Sequence, residues 1–471
     1  MELIKLKKVV DVITGFPFAS ELYSDSGIRV VRGENITEGR LRWDSIKCWN
    51  LPFEKQEFYS LKKDDIVIGM DGSKVGKNKA RIKQENLPLI LAQRVACLRA
   101  KKNLHQVFLY YCINNTRFED FVFRIQTGSS IPHISKSQIE DFSIPFPSLP
   151  IQKSIAKVLS DLDAKIEINN KINRELEAMA KTLYDYWFVQ FDFPISAAQA
   201  ASMGKPDLNG KPYKSSGGKM VYNAELKREI PEGWEVKAIS KWIKKDKSGD
   251  WGKEEIEGNY QLEVSCIRGA DLNGLNGNGE LKAPTRFILE KNSSKLLENH
   301  DLIVEISGGS PTQSTGRLAF ITGETLERFS TPIICSNFCK ALTLKDETYL
   351  FNFVCQWNKL YDNGVLFGWE GKTSGIKNLL FESFVTSHKE VYPPSNLVKK
   401  FYDFSKPIHG QIQKNLMQNQ HLTALRDWLL PMLMNGQVSV LQAYGESEAE
   451  QSMSMAAEPA AEYTTGKKQS M

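Results

Sequence analysis

Residues 151–183 read IQKSIAKVLSDLDAKIEINNKINRELEAMAKTL, and residues 397–429 read LVKKFYDFSKPIHGQIQKNLMQNQHLTALRDWL. The two stretches align without a gap at a shift of 246 residues. Apolar residues recur in both at steps of three and four, which predicts a long amphipathic helix with a coiled-coil seam. The matched apolar pairs are Ile151 with Leu397, Ile155 with Phe401, Val158 with Phe404, Leu162 with Ile408, Ile166 with Ile412, Leu176 with Leu422, Met179 with Leu425, and Leu183 with Leu429. An internal repeat of this length indicates two half-molecules in tandem.

Two polar positions of the repeat also match, Asn169 with Asn415 and Asn173 with Asn419. Asn169 and Asn415 fall at a-type heptad positions, where a buried asparagine costs stability but fixes the register of paired helices. We therefore predict that the two helices pair with each other; the alternative, that each packs only on its own domain, stays open. The residues predicted to pair are Ile155, Leu162, Ile166, Asn169, Leu176, Met179 and Leu183 with Phe401, Ile408, Ile412, Asn415, Leu422, Leu425 and Leu429.

Prolines and composition divide the chain into segments. Pro145, Pro147 and Pro150 precede the first long helix and Pro393-Pro394 the second, since proline is tolerated only in the first turn of a helix. The N-terminal MELIKLKKVVDVITG is predicted to begin as an amphipathic helix. The predicted segments are a globular α/β unit at 1–147, a helix at 148–191, a linker at 192–230, a second globular unit at 231–393, a helix at 394–437 and a disordered tail at 438–471.

Composition restricts the class of protein without deciding it. Hydrophobic residues make up 41% and charged residues 25%, as is ordinary for a globular protein, and no apolar run is long enough for a membrane helix. The net charge of +5 permits nucleic-acid binding without demanding it. Seven cysteines without a pairing pattern suggest a reducing cytoplasm. Cys335 and Cys339 are the closest pair, but no second pair lies at zinc spacing, so we predict no metal site.

Several loops carry the side chains that read base edges and bind phosphates. Residues 72–83 concentrate lysine and arginine, and residues 307–317 and 371–374 concentrate serine, threonine and glutamine. A solvated charged loop is the alternative interpretation of residues 72–83. The candidate DNA contacts are Arg32, Lys74, Lys77, Lys79, Arg81, Gln93, Arg94, Ser129, Ser130 and His133 in the first unit, and Arg268, Ser310, Thr312, Gln313, Ser314, Arg317, Lys372 and Thr373 in the second.

Catalytic motifs are weak in this chain. The sequence from Tyr392 to Ser395 lacks the polar residue and the aromatic residue that an amino-methyltransferase loop places around its two prolines. Asp207 with Glu235 and Lys237 fits a loose nuclease pattern of a kind that often arises by chance. We therefore predict no catalytic residue, and a stand-alone nuclease or a coiled-coil adaptor that binds only proteins stays open as an alternative.

Longer strings carry a family resemblance. Residues 148–194, SLPIQKSIAKVLSDLDAKIEINNKINRELEAMAKTLYDYWFVQFDFP, closely resemble the central conserved region of the specificity subunit of Type I restriction-modification systems. GKPYKSSGGKM at 210–220 and KREIPEGWEV at 227–236 resemble the same region, and HLTALRDWLLPMLMNGQV at 421–438 resembles the C-terminal conserved region of that family. The globular units resemble the family only in layout.

The resemblance implies an α+β fold of two tandem target recognition domains, each followed by a long helix, with the two helices paired as an antiparallel coiled coil. Each domain would read one half of a bipartite double-stranded DNA site, and the helices would set the spacer. Two methyltransferase subunits, which use S-adenosylmethionine to methylate adenine, would dock on the helices. Restriction subunits, which use ATP and magnesium, would join that core. The chain itself would bind no cofactor, catalyse nothing, and act in the cytoplasm at the nucleoid.

Overall fold

A computed structural model describes residues 2–54, 56–128, 131–308, 310, 312–373 and 375–438. The predicted tail lies outside the described residues except for Val438. By contacts within the chain, the molecule divides into two compact units. Unit 1 comprises the residues up to Ala164 together with those from Leu422 on, and unit 2 comprises Lys165–His421. Each long helix therefore contributes one part to each unit.

Unit 1 contains three antiparallel or mixed sheets. The larger sheet has the strand order β2-β9-β6-β7-β4, a second sheet has the order β5-β3-β8, and β1 pairs with β10. Its strands are β1 Leu3–Lys5, β2 Val10–Thr14, β3 Ile28–Val31, β4 Ile36–Leu41, β5 Cys48–Trp49, β6 Ile66–Gly69, β7 Lys79–Arg81, β8 Leu89–Leu91, β9 Val95–Ala100 and β10 Ser143–Pro145. Its short helices are α1 Leu6–Val9, α2 Gln56–Tyr59, α3 Gln106–Ile113, α4 Thr116–Ile125 and α5 Lys136–Glu140.

Unit 2 repeats this topology. The sheet β14-β21-β17-β19 corresponds to β2-β9-β6-β7, the sheet β16-β15-β20 to β5-β3-β8, and the pair β13-β24 to β1-β10, with the same strand directions. Its strands are β11 Met220–Asn223, β12 Arg228–Pro231, β13 Glu235–Ala238, β14 Ile243–Ser248, β15 Tyr260–Ile267, β16 Thr285–Leu289, β17 Asp301–Glu305, β18 Ser307–Gly308, β19 Leu318–Phe320, β20 Ile333–Cys335, β21 Cys339–Leu344, β22 Glu370–Thr373, β23 Ile376–Leu379 and β24 Lys389–Tyr392. Its short helices are α7 Ala197–Ser202, α8 Leu272–Leu275, α9 Gly323–Leu326, α10 Leu350–Asp362 and α11 Phe381–Ser387.

The two predicted long helices are α6, Leu149–Tyr184, and α12, Ser395–Asn435. Helix α6 begins with Pro150 in its first turn, and the amide of the buried Gln152 donates to the Pro147 carbonyl at 2.8 Å. Helix α12 begins directly after Pro393-Pro394 and ends at Gly436, whose φ of +73° is typical of a helix terminus. A long helix therefore follows the sheets of each half of the chain, as the α+β prediction required.

Within unit 2, the two helices pair antiparallel through asparagines. Asn169 Nδ2 donates to Asn419 Oδ1 at 2.9 Å, and Asn415 Nδ2 donates to Asn173 Oδ1 at 2.7 Å. These two contacts are equivalent under the 246-residue repeat, so a local two-fold relation lies between them. Nearby, Leu176 and Ala180 pack on Ile408, Ile412 and Leu416. Asn169 and Asn415 do not bind each other; each binds the second asparagine of the opposite helix.

Within unit 1, the remaining helix segments also meet. Arg426 Nη1 donates to Asp163 Oδ1 at 2.8 Å, and Leu159 shares a buried cluster with Leu430 and Leu433. Two residues of the predicted seam lie elsewhere: Met179 is 54% exposed and Leu425 is 43% exposed. They match in the repeat because both occupy an outer face of their helix, so the prediction that they pair is wrong.

Two further predictions differ from the structure. The N-terminal segment forms only one helical turn, because β1 pairs with β10 and β2 pairs with β9. The segment predicted as a linker carries α7, β11 and most of β12 and contributes to the core of unit 2. The Phe193 ring stacks at 4.6 Å on Tyr213 and at 5.1 Å on Trp234. Aromatic residues at irregular spacing give no periodic signal, so the sequence did not indicate this packing.

Candidate nucleic-acid interface

In unit 1, three candidate segments come together at the end of β6. Met70 N donates to Arg94 O at 2.9 Å, and Gly72 N donates to Pro132 O at 3.0 Å. Asp71 forms a β-bridge with His133, whose ring Nε2 lies 3.0 Å from Thr127 Oγ1. The structure therefore places the 72–78 loop, the Gln93-Arg94 turn and residues 127–128 and 131–133 at one site, although they are distant in sequence.

Unit 2 builds the same site at the end of β17. Ile306 N donates to Phe338 O at 2.9 Å, as Met70 N does to Arg94 O, and Leu379 N donates to Ile306 O at 2.9 Å. Ser307 Oγ donates to Asn378 Oδ1 at 2.6 Å. The described residues of 307–317 and 370–378 thus lie side by side, in the positions that 71–78 and the described residues of 127–133 occupy in unit 1.

Two of the predicted DNA contacts, Lys79 and Arg81, interact with other residues of unit 1. Lys79 is 1% exposed, and its ammonium donates to Gly76 O at 3.0 Å and to Glu119 at 2.5 Å. Burial lowers the pKa of Lys79, although the hydrogen bond with Glu119 acts in the opposite direction. Arg81 lies 5.2 Å from the Tyr110 ring centroid and 3.8 Å from Asp64. Both cations shape the site. The burial of Lys79 corrects its assignment as a phosphate contact, whereas that of Arg81 stays a prediction.

Three more arginines are paired with acidic side chains of their own unit. Arg317 makes a two-pronged contact with Glu305 at 2.7 and 2.8 Å, and Arg268 makes one with Asp271 at 2.7 and 3.1 Å. The hydrogen bonds with Glu305 and Asp271 raise the pKa values of Arg317 and Arg268. Arg32 pairs with Glu34 and lies 5.6 Å from the Tyr23 ring centroid. These arginines hold loops in place, and their role as base or phosphate contacts stays a prediction.

The other candidates are available on the surface. Gln93, Lys77 and His133 are exposed, and Arg94 is 66% exposed with its Nε 3.8 Å from Asp71. Lys74 is exposed and pairs with Glu38 at 3.0 Å. In unit 2, Ser310, Thr312 and Gln313 are exposed, and Ser314 Oγ donates to Glu370 at 3.3 Å. Ser129 and Ser130 lie outside the described residues, as do the side chains of Lys372 and Thr373.

Sequence reasoning missed the apolar residues at these two sites. Phe123 is 75% exposed and Ile131 is 63% exposed in unit 1, while Phe367 is 53% exposed and Ile376 is 43% exposed in unit 2. Phe338, 48% exposed, occupies in unit 2 the place of Arg94 in unit 1. The only sequence signal was a shift of 244 to 245 residues that aligns both phenylalanines and both isoleucines.

The residues of the weak nuclease pattern have other partners. The Lys237 ammonium pairs with Glu235 and lies 3.9 Å from the Tyr392 ring centroid. Within the described part of the chain, no group of three His, Cys, Asp or Glu side chains could hold a metal ion. Among the described helices, none is long and apolar enough to cross a membrane.

Comparison with known proteins gives the class. Residues 1–178 match the family model of the Type I restriction modification DNA specificity domain. The fold resembles the crystal structure of a Type I restriction-modification S subunit from M. genitalium, with a TM-score of 0.52, 16% identity, and coverage of 92% of this chain and 96% of that one. The N-terminal part of the chain is therefore similar to a DNA specificity domain.

Individual relatives extend the similarity beyond residue 178. The chain is 24% identical over 363 residues to the specificity subunit of the Type I restriction enzyme MjaIX from Methanocaldococcus jannaschii, which covers 75% of this chain and 74% of the relative. It is 30% identical over 187 residues to the EcoAI specificity subunit from Escherichia coli, covering 38% of this chain and 31% of the relative. The chain is thus a relative of the Type I restriction-modification specificity subunits.

Proposed function

We propose that this chain recognises a bipartite double-stranded DNA site, one half-site for each unit, as the specificity subunit of a Type I restriction-modification complex. The observation that carries the proposal is the duplication of one surface site. Each unit brings two distant polar loops together at the end of an equivalent strand, β6 or β17, with different side chains at equivalent places. Two units with the same topology and different polar side chains at this surface are suited to recognising two different base sequences.

The paired helices supply the second part of the proposal. Hydrogen-bonded asparagines fix their register in unit 2, which suits a spacer of constant length between half-sites. Outside the pairing face, the equivalent residues Met179 and Leu425 are exposed. Exposed apolar residues on a helix are typical of a docking surface for another helix. We assign these two places to two methyltransferase subunits, through which restriction subunits join.

The chemistry belongs to those partners in this proposal. S-adenosylmethionine, ATP and magnesium are bound by the methyltransferase and restriction subunits, and this chain catalyses nothing and works with DNA in the cytoplasm. Its required contribution to both methylation and restriction is the selection of the site.

A binding selection tests this function. The chain, assembled with its methyltransferase subunits, is incubated with a library of random DNA, and the bound fraction is sequenced. We expect two short motifs separated by a spacer of fixed length. Retention of DNA without any sequence preference would contradict recognition, and DNA cleavage by the isolated chain that is lost in Glu235→Ala would favour the nuclease alternative.

A further inference from the structure

Each unit exposes one phenylalanine and one isoleucine at equivalent positions beside its polar loops. In unit 1 these are Phe123 and Ile131, and in unit 2 they are Phe367 and Ile376, all between 43% and 75% exposed. Singly exposed apolar side chains are common on protein surfaces, so the informative feature is that the same two residue types recur at equivalent places in both units.

The phenylalanine is held in place by the same packing in both units. In unit 1 the preceding residue, Val122, lies against Gly76, where an added Cβ atom would approach its side chain to 2.9 Å. In unit 2 the preceding residue, Leu366, lies against Gly316, where an added Cβ would approach to 2.6 Å. Both glycines have positive φ, +84° and +99°. In each unit, a glycine of the polar loop thus leaves room for the aliphatic residue that precedes the exposed phenylalanine.

The isoleucine is placed on the same loop from the other side. Pro132, next to Ile131, accepts a hydrogen bond from Gly72 N at the start of the loop that contains Gly76. In unit 2 the ammonium of Lys377, next to Ile376, lies 4.6 Å from the Phe367 ring centroid. In each unit the residues next to the phenylalanine and the isoleucine therefore contact the same polar loop.

The polar neighbours differ between the units while this apolar pair is retained. Arg94 in unit 1 stands where unit 2 has Phe338, and His133 stands where unit 2 has Asn378. Side chains that read different bases are expected to differ between two half-sites. A pair that is present in both units serves a task that does not depend on base identity.

Resting on the proposed DNA recognition, we propose that Phe123 with Ile131 and Phe367 with Ile376 are apolar wedges, each of which enters a base step of its own half-site. Apolar side chains that enter a step unstack it partly, and an aromatic ring replaces the lost stacking with any base. The adjacent exposed cations Lys77 and Arg94 of unit 1 suit a surface that meets phosphates.

The test uses the assembled complex and DNA with 2-aminopurine in place of single adenines of one half-site at a time. Phe123→Ala is expected to lower DNA affinity about ten-fold and to abolish the fluorescence rise in one half-site only. Phe367→Ala is expected to do the same in the other half-site. Phe123→Trp, which keeps an aromatic ring, should retain both signals. Phe58→Ala in unit 1 and Tyr222→Ala in unit 2 remove rings that are 51% and 65% exposed elsewhere, and serve as matched controls.

A second measurement separates a wedge from a simple contact. A mismatch at the affected step weakens stacking in advance, so it should restore most of the affinity lost in Phe123→Ala. The wedge is overturned if both alanine variants match the wild type in affinity and fluorescence while the wild type still selects a bipartite site. It is equally overturned if the variants lose a methyltransferase subunit, seen by native mass spectrometry, without a defect at a half-site. A wild type that binds DNA indifferently would overturn the proposed function and the wedge together.

Discussion

Lys77 and Lys79 are two residues apart and have different environments. Lys77 is exposed on the loop, whereas Lys79 begins strand β7 and donates to Gly76 O and Glu119 from a buried position. Lys77 belongs to the turn that precedes the strand, so strand geometry does not place the two ammonium groups on the same side. A loop rich in lysine therefore contains fewer phosphate contacts than its composition suggests.

A substitution series separates these two tasks. Lys77→Ala is expected to weaken DNA binding several-fold for all sequences and to reduce the slope of log affinity against log salt by about one. Lys79→Ala should instead lower the free energy of unfolding by about 1–3 kcal/mol, because Glu119 loses its partner in a partly buried place. Fluorescence anisotropy across a salt series and chemical denaturation measure the two effects. An unchanged salt slope in Lys77→Ala would remove this residue from the interface.

His409 on α12 gives unit 2 a dependence on pH. Its ring stacks on Phe351 with a centroid distance of 4.5 Å, and burial lowers its pKa to about 4. The unfolded chain has a histidine pKa near 6.5, so it takes up this proton first as the pH falls. The stability contributed by the neutral ring is therefore complete above about pH 6.5 and is lost progressively toward pH 4.

Replacement of His409 tests the predicted loss of stability as the pH falls. Between pH 7 and pH 4.5 the wild type should lose roughly 1–3 kcal/mol more stability than His409→Phe, which keeps the aromatic stacking and cannot be protonated. Urea denaturation at the two pH values measures the difference. His421→Phe, a change at an exposed position on the same helix, is the control. Parallel pH profiles for wild type and His409→Phe would contradict the prediction.

At the scale of elements, the asparagine contacts between α6 and α12 are specific to one register. Asn173→Leu should destabilise unit 2 by about 1–3 kcal/mol, because the buried Asn415 amide loses its acceptor at 2.7 Å. Asn173→Leu with Asn415→Leu should regain most of that stability through apolar packing, at the cost of register specificity. Denaturation of the three proteins measures this, and additive losses in the double variant would show that the pair does not act as a unit.

The outer faces of the same helices carry the prediction about partners. Met179→Asp and Leu425→Asp should each release one methyltransferase subunit, since a carboxylate cannot be buried unpaired in a helix interface. Native mass spectrometry should show one partner bound in each single variant and none in the double variant. Glu177→Asp, a conservative change on the exposed surface of α6, should keep two partners. Two partners retained in the double variant would place the docking surface elsewhere.

The elements also show where sequence patterns succeed. The start of α6 at Pro150, the start of α12 after Pro393-Pro394 and the end of α12 at Gly436 follow the sequence closely, because these residues act on the backbone locally. The sequence pattern did not identify which apolar residues pair, because it included Met179 and Leu425, which lie on the outer faces of their helices. The N-terminal strands were also missed, since β1 depends on β10 about 140 residues away. A β-strand is stabilised by hydrogen bonds to its partner strand, and the periodicity of one segment does not identify that partner.

For the whole molecule, the length of the paired helices should set the spacer in the recognised DNA. Deleting seven residues from each long helix at opposed positions shortens the pair by about 10 Å, which is close to three base pairs. The selected spacer should shorten by about that amount while both half-site motifs stay unchanged. Sequencing of the bound DNA measures both quantities. Altered motifs with an unchanged spacer would contradict the assignment of spacing to the helices.

By itself, the sequence determined that the chain is a tandem repeat with two long helices, because periodicity, prolines and a 246-residue shift are local or self-comparing signals. It also placed the polar loops that the two units expose. Only the tertiary structure decided which of the charged side chains in these loops have partners within the protein. Lys79, Arg268 and Arg317 bind carboxylates or backbone carbonyls that the sequence pattern did not identify. It alone showed that Phe123 and Phe367 are exposed at equivalent points of the two units, because exposure arises from packing between segments that are distant in sequence.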